Sequence, residues 1–67
     1  KAETYIRKTL TDAENNDTNL GFLGMNGNDF FFRAQSKQMA ANGGTGTVGF
    51  FRVSPQGAVR ITDARGN

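Results

Sequence analysis

The residues best equipped for chemistry in this chain are aromatic–arginine pairs, and they recur in one order. Tyr5-Ile6-Arg7, Phe31-Phe32-Arg33 and Phe50-Phe51-Arg52 each read aromatic, apolar, arginine, and Ala58-Val59-Arg60 keeps the last two terms. In a β-strand, residues two apart share a face. Strand geometry would therefore gather Tyr5, Phe31 and Phe50 on one face with Arg7, Arg33, Arg52 and Arg60. The alternate face would collect Ile6, Phe30, Phe32, Phe51, Val53, Val59 and Ile61 as a core. Exposed rings between arginines form a platform for unstacked bases. Stacking is worth about 1–3 kcal/mol per base, and arginine adds phosphate and cation–π contacts. The same pairs also serve plain packing, with the arginine stem covering a neighbouring ring.

Other chemistries are poorly supplied. The 67 residues contain no Cys and no His, which removes disulfides, thiol nucleophiles, histidine bases and Cys/His zinc sites. Asp12, Glu14, Asp17 and the asparagines between them offer hard oxygen donors, but their spacing does not fit the calcium loop of an EF-hand. The glycine-rich Asn42-Gly43-Gly44-Thr45-Gly46 lacks the Lys-Ser/Thr of a phosphate loop. No catalytic residue, metal or cofactor is expected, and a non-catalytic binding module is. No stretch approaches the roughly 18 apolar residues of a membrane helix, and no signal-peptide pattern opens the chain. The net charge of +2 divides into −1 over residues 1–24 and +3 over residues 25–67.

The elements that must position these residues fit one small domain spanning residues 1–67. Seventeen large apolar side chains, six of them Phe, must supply its core. Residues 20–34 predict a hairpin: Leu20 to Met25, a turn at Asn26-Gly27-Asn28, then Asp29 to Arg33. Residues 48–63 predict a second, with Ser54-Pro55-Gln56-Gly57 as its turn. Residues 35–47 connect the two, with a turn or two of helix over Gln35–Ala41. Residues 11–19 read as a polar loop and residues 64–67 as a frayed end. Residues 1–10 fit two readings. Thr4, Tyr5, Ile6 and Thr9 favour a strand, whereas Ile6, Leu10 and Ala13 recur at helical spacing. The expected class is mainly β: a small antiparallel barrel or sheet of four to five strands, OB-like.

Residues 20–61 resemble the cold-shock domain, a five-stranded OB-type barrel that binds single-stranded nucleic acid. Asn19-Leu20-Gly21-Phe22-Leu23 stands where that family has Gly-aromatic-Gly-Phe-Ile. Asp29-Phe30-Phe31-Phe32-Arg33 stands where it has Asp-Val-Phe-Val-His. The resemblance implies base stacking by Phe22 and Phe31. It differs at Asn19, Leu20 and Arg33, and Tyr5-Ile6-Arg7 replaces the family's Lys-Trp-Phe. The expected site is then Tyr5, Arg7, Phe22, Phe31, Arg33, Phe50, Arg52 and Arg60, with single-stranded DNA or RNA as partner. The alternative is a structural or surface subunit acting through protein partners or self-assembly. Asn/Thr/Gly-rich loops and low net charge motivate it. It would suit a helix over residues 2–14 packed on a four-stranded sheet, loosely similar to a truncated type IV pilin.

Overall fold

Asn26 and Asp29 face each other across a two-residue turn, and Gly27 takes the positive φ of 62° that this turn requires. The hairpin it closes is the first half of the sheet. A computed structural model describes residues 2–67. Its elements are α1 (Ala2–Lys8), α2 (Asp12–Asp17), β1 (Thr18–Asn26), β2 (Asp29–Ser36), α3 (Lys37–Ala41), β3 (Thr47–Val53) and β4 (Val59–Thr62). The strands form one open antiparallel sheet in the order β1-β2-β3-β4. The chain is thus mainly β, with β1 and β4 as the sheet's two edges.

Register sorts the side chains. Phe22 lies opposite Phe32, Phe30 opposite Val53, Phe32 opposite Phe51 and Phe51 opposite Ile61. These residues share the face that carries α1, hereafter the inner face. Phe31 opposite Arg52, Arg33 opposite Phe50 and Arg52 opposite Arg60 occupy the outer face. The expected division of β2, β3 and β4 into an apolar face and an aromatic–arginine face is therefore present.

Residues 2–8 are helix, which corrects the strand reading of this segment. Ile6 decides the matter: it is completely buried and packs with Phe32 and Val53 in the core. Burying it contributes about 1.5–3 kcal/mol, enough to hold a helix far too short to persist alone. Local chemistry agrees. Glu3 stands in the first turn and Arg7 and Lys8 in the last, as the helix dipole favours. The Thr9 hydroxyl donates to Ile6 O at 2.7 Å and closes the C-terminal end.

Residues 12–17 are also helical, not loop. Thr11 and Glu14 form a reciprocal capping box: Glu14 N–H donates to Thr11 Oγ1 at 3.1 Å, and Thr11 N–H to Glu14 Oε1 at 2.8 Å. The helix over residues 37–41 lies within the expected stretch, N-capped by Ser36, whose hydroxyl oxygen accepts from Met39 N–H at 3.2 Å. The second hairpin turns where expected, with Gly57 N–H donating to Ser54 O at 2.9 Å. The C-terminus is not frayed. Gly66 is buried, and the Asp63 carboxylate accepts from the N–H groups of Arg65 and Asn67 at 2.8 and 3.0 Å.

Candidate functional site

On the outer face, β2 and β3 bring Phe31 and Phe50 together. Their ring centroids are 5.7 Å apart and their planes differ by 15°, a stacked pair. Arg33 is exposed beside Phe50, and Arg60 is exposed on the edge strand β4. Phe31, Arg33, Phe50, Arg52 and Arg60 thus share one face, and no helix lies across it among the described residues.

Arg52 has a second task there. It pairs with Asp29 at 2.9 Å, and its Nη1 and Nη2 donate to Gly66 O and Asn26 O at 3.0 and 3.2 Å. It clamps the C-terminal segment to the first hairpin. Gly66 also packs against Asn26, and a β-carbon there would stand 3.7 Å from the Phe31 ring. The tail therefore covers part of Phe31, leaving Phe50, Arg33 and Arg60 as the open part of the platform. Arg60 faces Arg52 directly, a like-charge pair that Asp29 offsets on one side only.

Three expected site residues lie elsewhere, which corrects the eight-residue platform. Phe22 is on the inner face, its ring 5.4 Å from that of Phe32 and 6.3 Å from that of Phe30. Its place opposite Phe32, an inner-face residue, fixes this. Tyr5 is on α1, with Lys8 Nζ 5.9 Å from its ring centroid. Arg7 is on α1 too and is occupied: it donates to Asn15 O, Asn15 Oδ1 and Thr18 O, each at 3.2 Å. Arg7 joins α1, α2 and β1 and does not face the outer surface.

The inner face carries a feature that the aromatic–arginine pattern did not reveal. The seven residues of α1 cover only its centre. Phe22, Met25 and Ile61 remain 57%, 56% and 80% exposed on it, with Val48 and Met39 nearby at 55% and 51%. Two hollows flank the helix. One, of about 620 Å³, lies among Tyr5, Phe22, Phe30, Phe32 and Pro55. The other, of about 740 Å³, lies among Leu10, Met39, Val48, Phe51, Val59 and Ile61. The available signal was arithmetic. Seventeen large apolar side chains outnumber what one short helix can cover on a single sheet.

One partly buried polar link completes the inner side. The Ser36 hydroxyl donates to Asp17 Oδ2 at 2.5 Å, and Gln38 N–H donates to Asp17 Oδ1 at 2.9 Å. These bonds hold the Asp17 carboxyl below its ordinary pKa of 3.8, the Ser36 bond most strongly. The Asp63 carboxyl is lowered in the same sense, chiefly by the Asn67 and Arg65 N–H groups. Both serve as structural acceptors. Among the described residues no helix is long and apolar enough to cross a membrane. Searches of family models, curated proteins and solved structures find no match to this chain.

Proposed function

We propose that this chain is a non-catalytic structural subunit that works through protein–protein contacts, with the inner sheet face as its contact surface. The observation that carries this reading is the exposure of Phe22, Met25 and Ile61 on a face whose centre is already a packed core. Apolar side chains continuous with a core mark an interaction site more often than scattered surface residues do. The arrangement of an N-terminal helix packed on a four-stranded antiparallel sheet also suits a pilin-like or other assembly subunit. Sedimentation velocity between about 1 µM and 1 mM, the span of weak to moderate association, tests it. Concentration-dependent association that Ile61→Lys or Met25→Lys weakens is the expected result. A wild-type chain that stays monomeric throughout, or association that both variants leave unchanged, overturns it.

The outer face supports a second reading, binding of single-stranded nucleic acid. Its specific support is the stacked Phe31–Phe50 pair with Arg33 and Arg60 exposed on the same face. Phe50 offers the stacking surface and the two arginines the phosphate contacts. Fluorescence anisotropy of a labelled oligothymidine at about 50 and 200 mM salt tests it, because phosphate contacts weaken steeply over that range. Absence of binding at the lower salt eliminates this reading and leaves the first untouched.

A further inference from the structure

We infer that β1 is a self-pairing edge, and that two copies of this chain join through antiparallel β1–β1 contact about a two-fold axis near Gly21. The inference rests on the self-assembly part of the reading above and adds a second contact, at the sheet edge rather than on the inner face, with a second copy as its partner.

The two edges of the sheet are unlike. β4 is four residues long and carries Arg60, already opposite Arg52. A symmetric pairing there would bring further arginines together. β1 is nine residues long, Thr18–Asn26, and contains no charged residue and no proline. Short strands, charges, proline and bulges are the usual devices that keep an edge from pairing, and β1 has none of the first three. Its one interruption is the bulge at Leu23, between Phe22 and Gly24.

Side-chain hydrogen bonds tie down only the ends of β1. Arg7 Nη2 donates to Thr18 O, and Arg52 Nη2 to Asn26 O. Between these ends, no side chain among the described residues is hydrogen-bonded to the strand's backbone. The span from Asn19 to Leu23 is therefore open to a new ladder.

The side chains at the centre of that span match their own copy, while Asn19 falls opposite Leu23 at the bulge. A two-fold axis through Gly21, perpendicular to the sheet, sets Leu20 of one copy opposite Phe22 of the other, twice. Both are inner-face residues, so each apolar side chain meets an apolar partner. Gly21 meets Gly21 on the outer face, where no side chain obstructs the approach. The result is a continuous eight-stranded sheet with both α1 helices on the same side. An isologous contact of this kind is closed, so it yields a dimer.

The absence of cysteine from the chain makes a direct test available. Gly21 has no positive φ, and a β-carbon built there meets nothing within 4 Å, so substitutions at this position keep the monomer fold. Directly opposed residues of antiparallel strands lie about 4.5–5.5 Å apart at Cα, within disulfide range. Under glutathione oxidation, Gly21→Cys is expected to give a covalent dimer whose yield rises with protein concentration, whereas Thr62→Cys on β4 stays monomeric. Gly21→Lys is expected to weaken association by up to about fivefold, since it sets like charges face to face. Circular dichroism of each variant confirms the fold. A disulfide that forms through Thr62→Cys and not through Gly21→Cys overturns the inference. Association that survives Gly21→Lys but not Ile61→Lys overturns edge pairing alone and leaves the inner-face reading standing. A wild-type chain that never associates overturns both.

Discussion

The ring of Tyr5 closes on Gly57 so tightly that a β-carbon at Gly57 would stand 2.7 Å from Tyr5 Cε1. This contact seats the N-terminal helix against the β3–β4 turn. Gly57 also has a φ of 92°, in the left-handed region that other residues adopt at a cost. Gly57→Ala therefore combines backbone strain with a clash, and about 1–3 kcal/mol of stability should be lost. Urea denaturation measures it. Gly43, with a φ of 94° but open space around it, is the control: Gly43→Ala should cost only the backbone part. Equal losses at both positions would show that the Tyr5 contact contributes nothing.

Ile6 is the point on which the helix-on-sheet arrangement depends. It is completely buried beside Phe32 and Val53, and the wholly buried core is small. Ile6→Val should cost about 0.5–1.5 kcal/mol and Ile6→Ala about 2–5 kcal/mol, the latter approaching the whole stability of a domain this size. The expected outcome for Ile6→Ala is loss of the cooperative thermal transition. Hydrogen exchange should show α1 released first, because Ile6 is its one buried side chain.

The Thr11–Glu14 box is the local signal that begins α2. Thr11→Ala should lower stability by about 0.5–2 kcal/mol, read from the denaturation midpoint, with Thr11→Ser nearly neutral. This short motif also shows where the sequence was readable and where it was not. Asn26-Gly27 and Ser54-Pro55-Gln56-Gly57 are turns whose backbone requirements name their residues, so both hairpins and the division of Phe31 and Arg33 from Phe30 and Phe32 were legible. Thr11-x-x-Glu14 was equally present, but the Asn and Asp content of residues 11–19 reads as loop until the cap is noticed. The Tyr5-Ile6-Arg7 segment was not legible from propensity. Its β-favouring side chains are overridden by burial of Ile6, a tertiary effect. Phe22 shared its expected role with Phe31 through the cold-shock resemblance, yet its position opposite Phe32 puts it on the inner face.

Acid should weaken the fold through Asp17 and Asp63. Each carboxyl has a pKa below its ordinary 3.8 in the folded chain because N–H or O–H donors favour the charged form. Their stabilisation is fully present above the unfolded-state pKa and is lost as pH falls through the lower folded-state value. Stability from pH 7 down to about 5 should thus be flat with respect to these two groups, and decline below about 4. Asp17→Asn should flatten that acid limb while lowering stability at neutral pH, since an amide accepts less strongly from Ser36 and Gln38. Thermal melts of both proteins across pH 2–7 measure the difference. Identical acid limbs would remove Asp17 from the account.

Arg52 and Arg60 face each other across β3 and β4 and should separate cleanly on substitution. Arg52 holds Asp29, Asn26 O and Gly66 O at once. Arg52→Ala would leave Asp29 without its partner and free the C-terminal segment, so about 1–3 kcal/mol should be lost, together with hydrogen-exchange protection over residues 63–67. Arg60 is exposed and makes no ion pair among the described residues. Arg60→Ala should change stability by no more than about 0.5 kcal/mol, and in the stabilising direction if relief of the repulsion with Arg52 dominates. The same variant reports on the outer face. If oligothymidine binds there, Arg60→Ala should weaken it and make its salt dependence shallower, while Phe50→Ala should weaken it at every salt concentration. Binding that neither variant changes would place any nucleic-acid contact away from this face, and would leave Arg33 and Phe50 as a cross-strand packing pair.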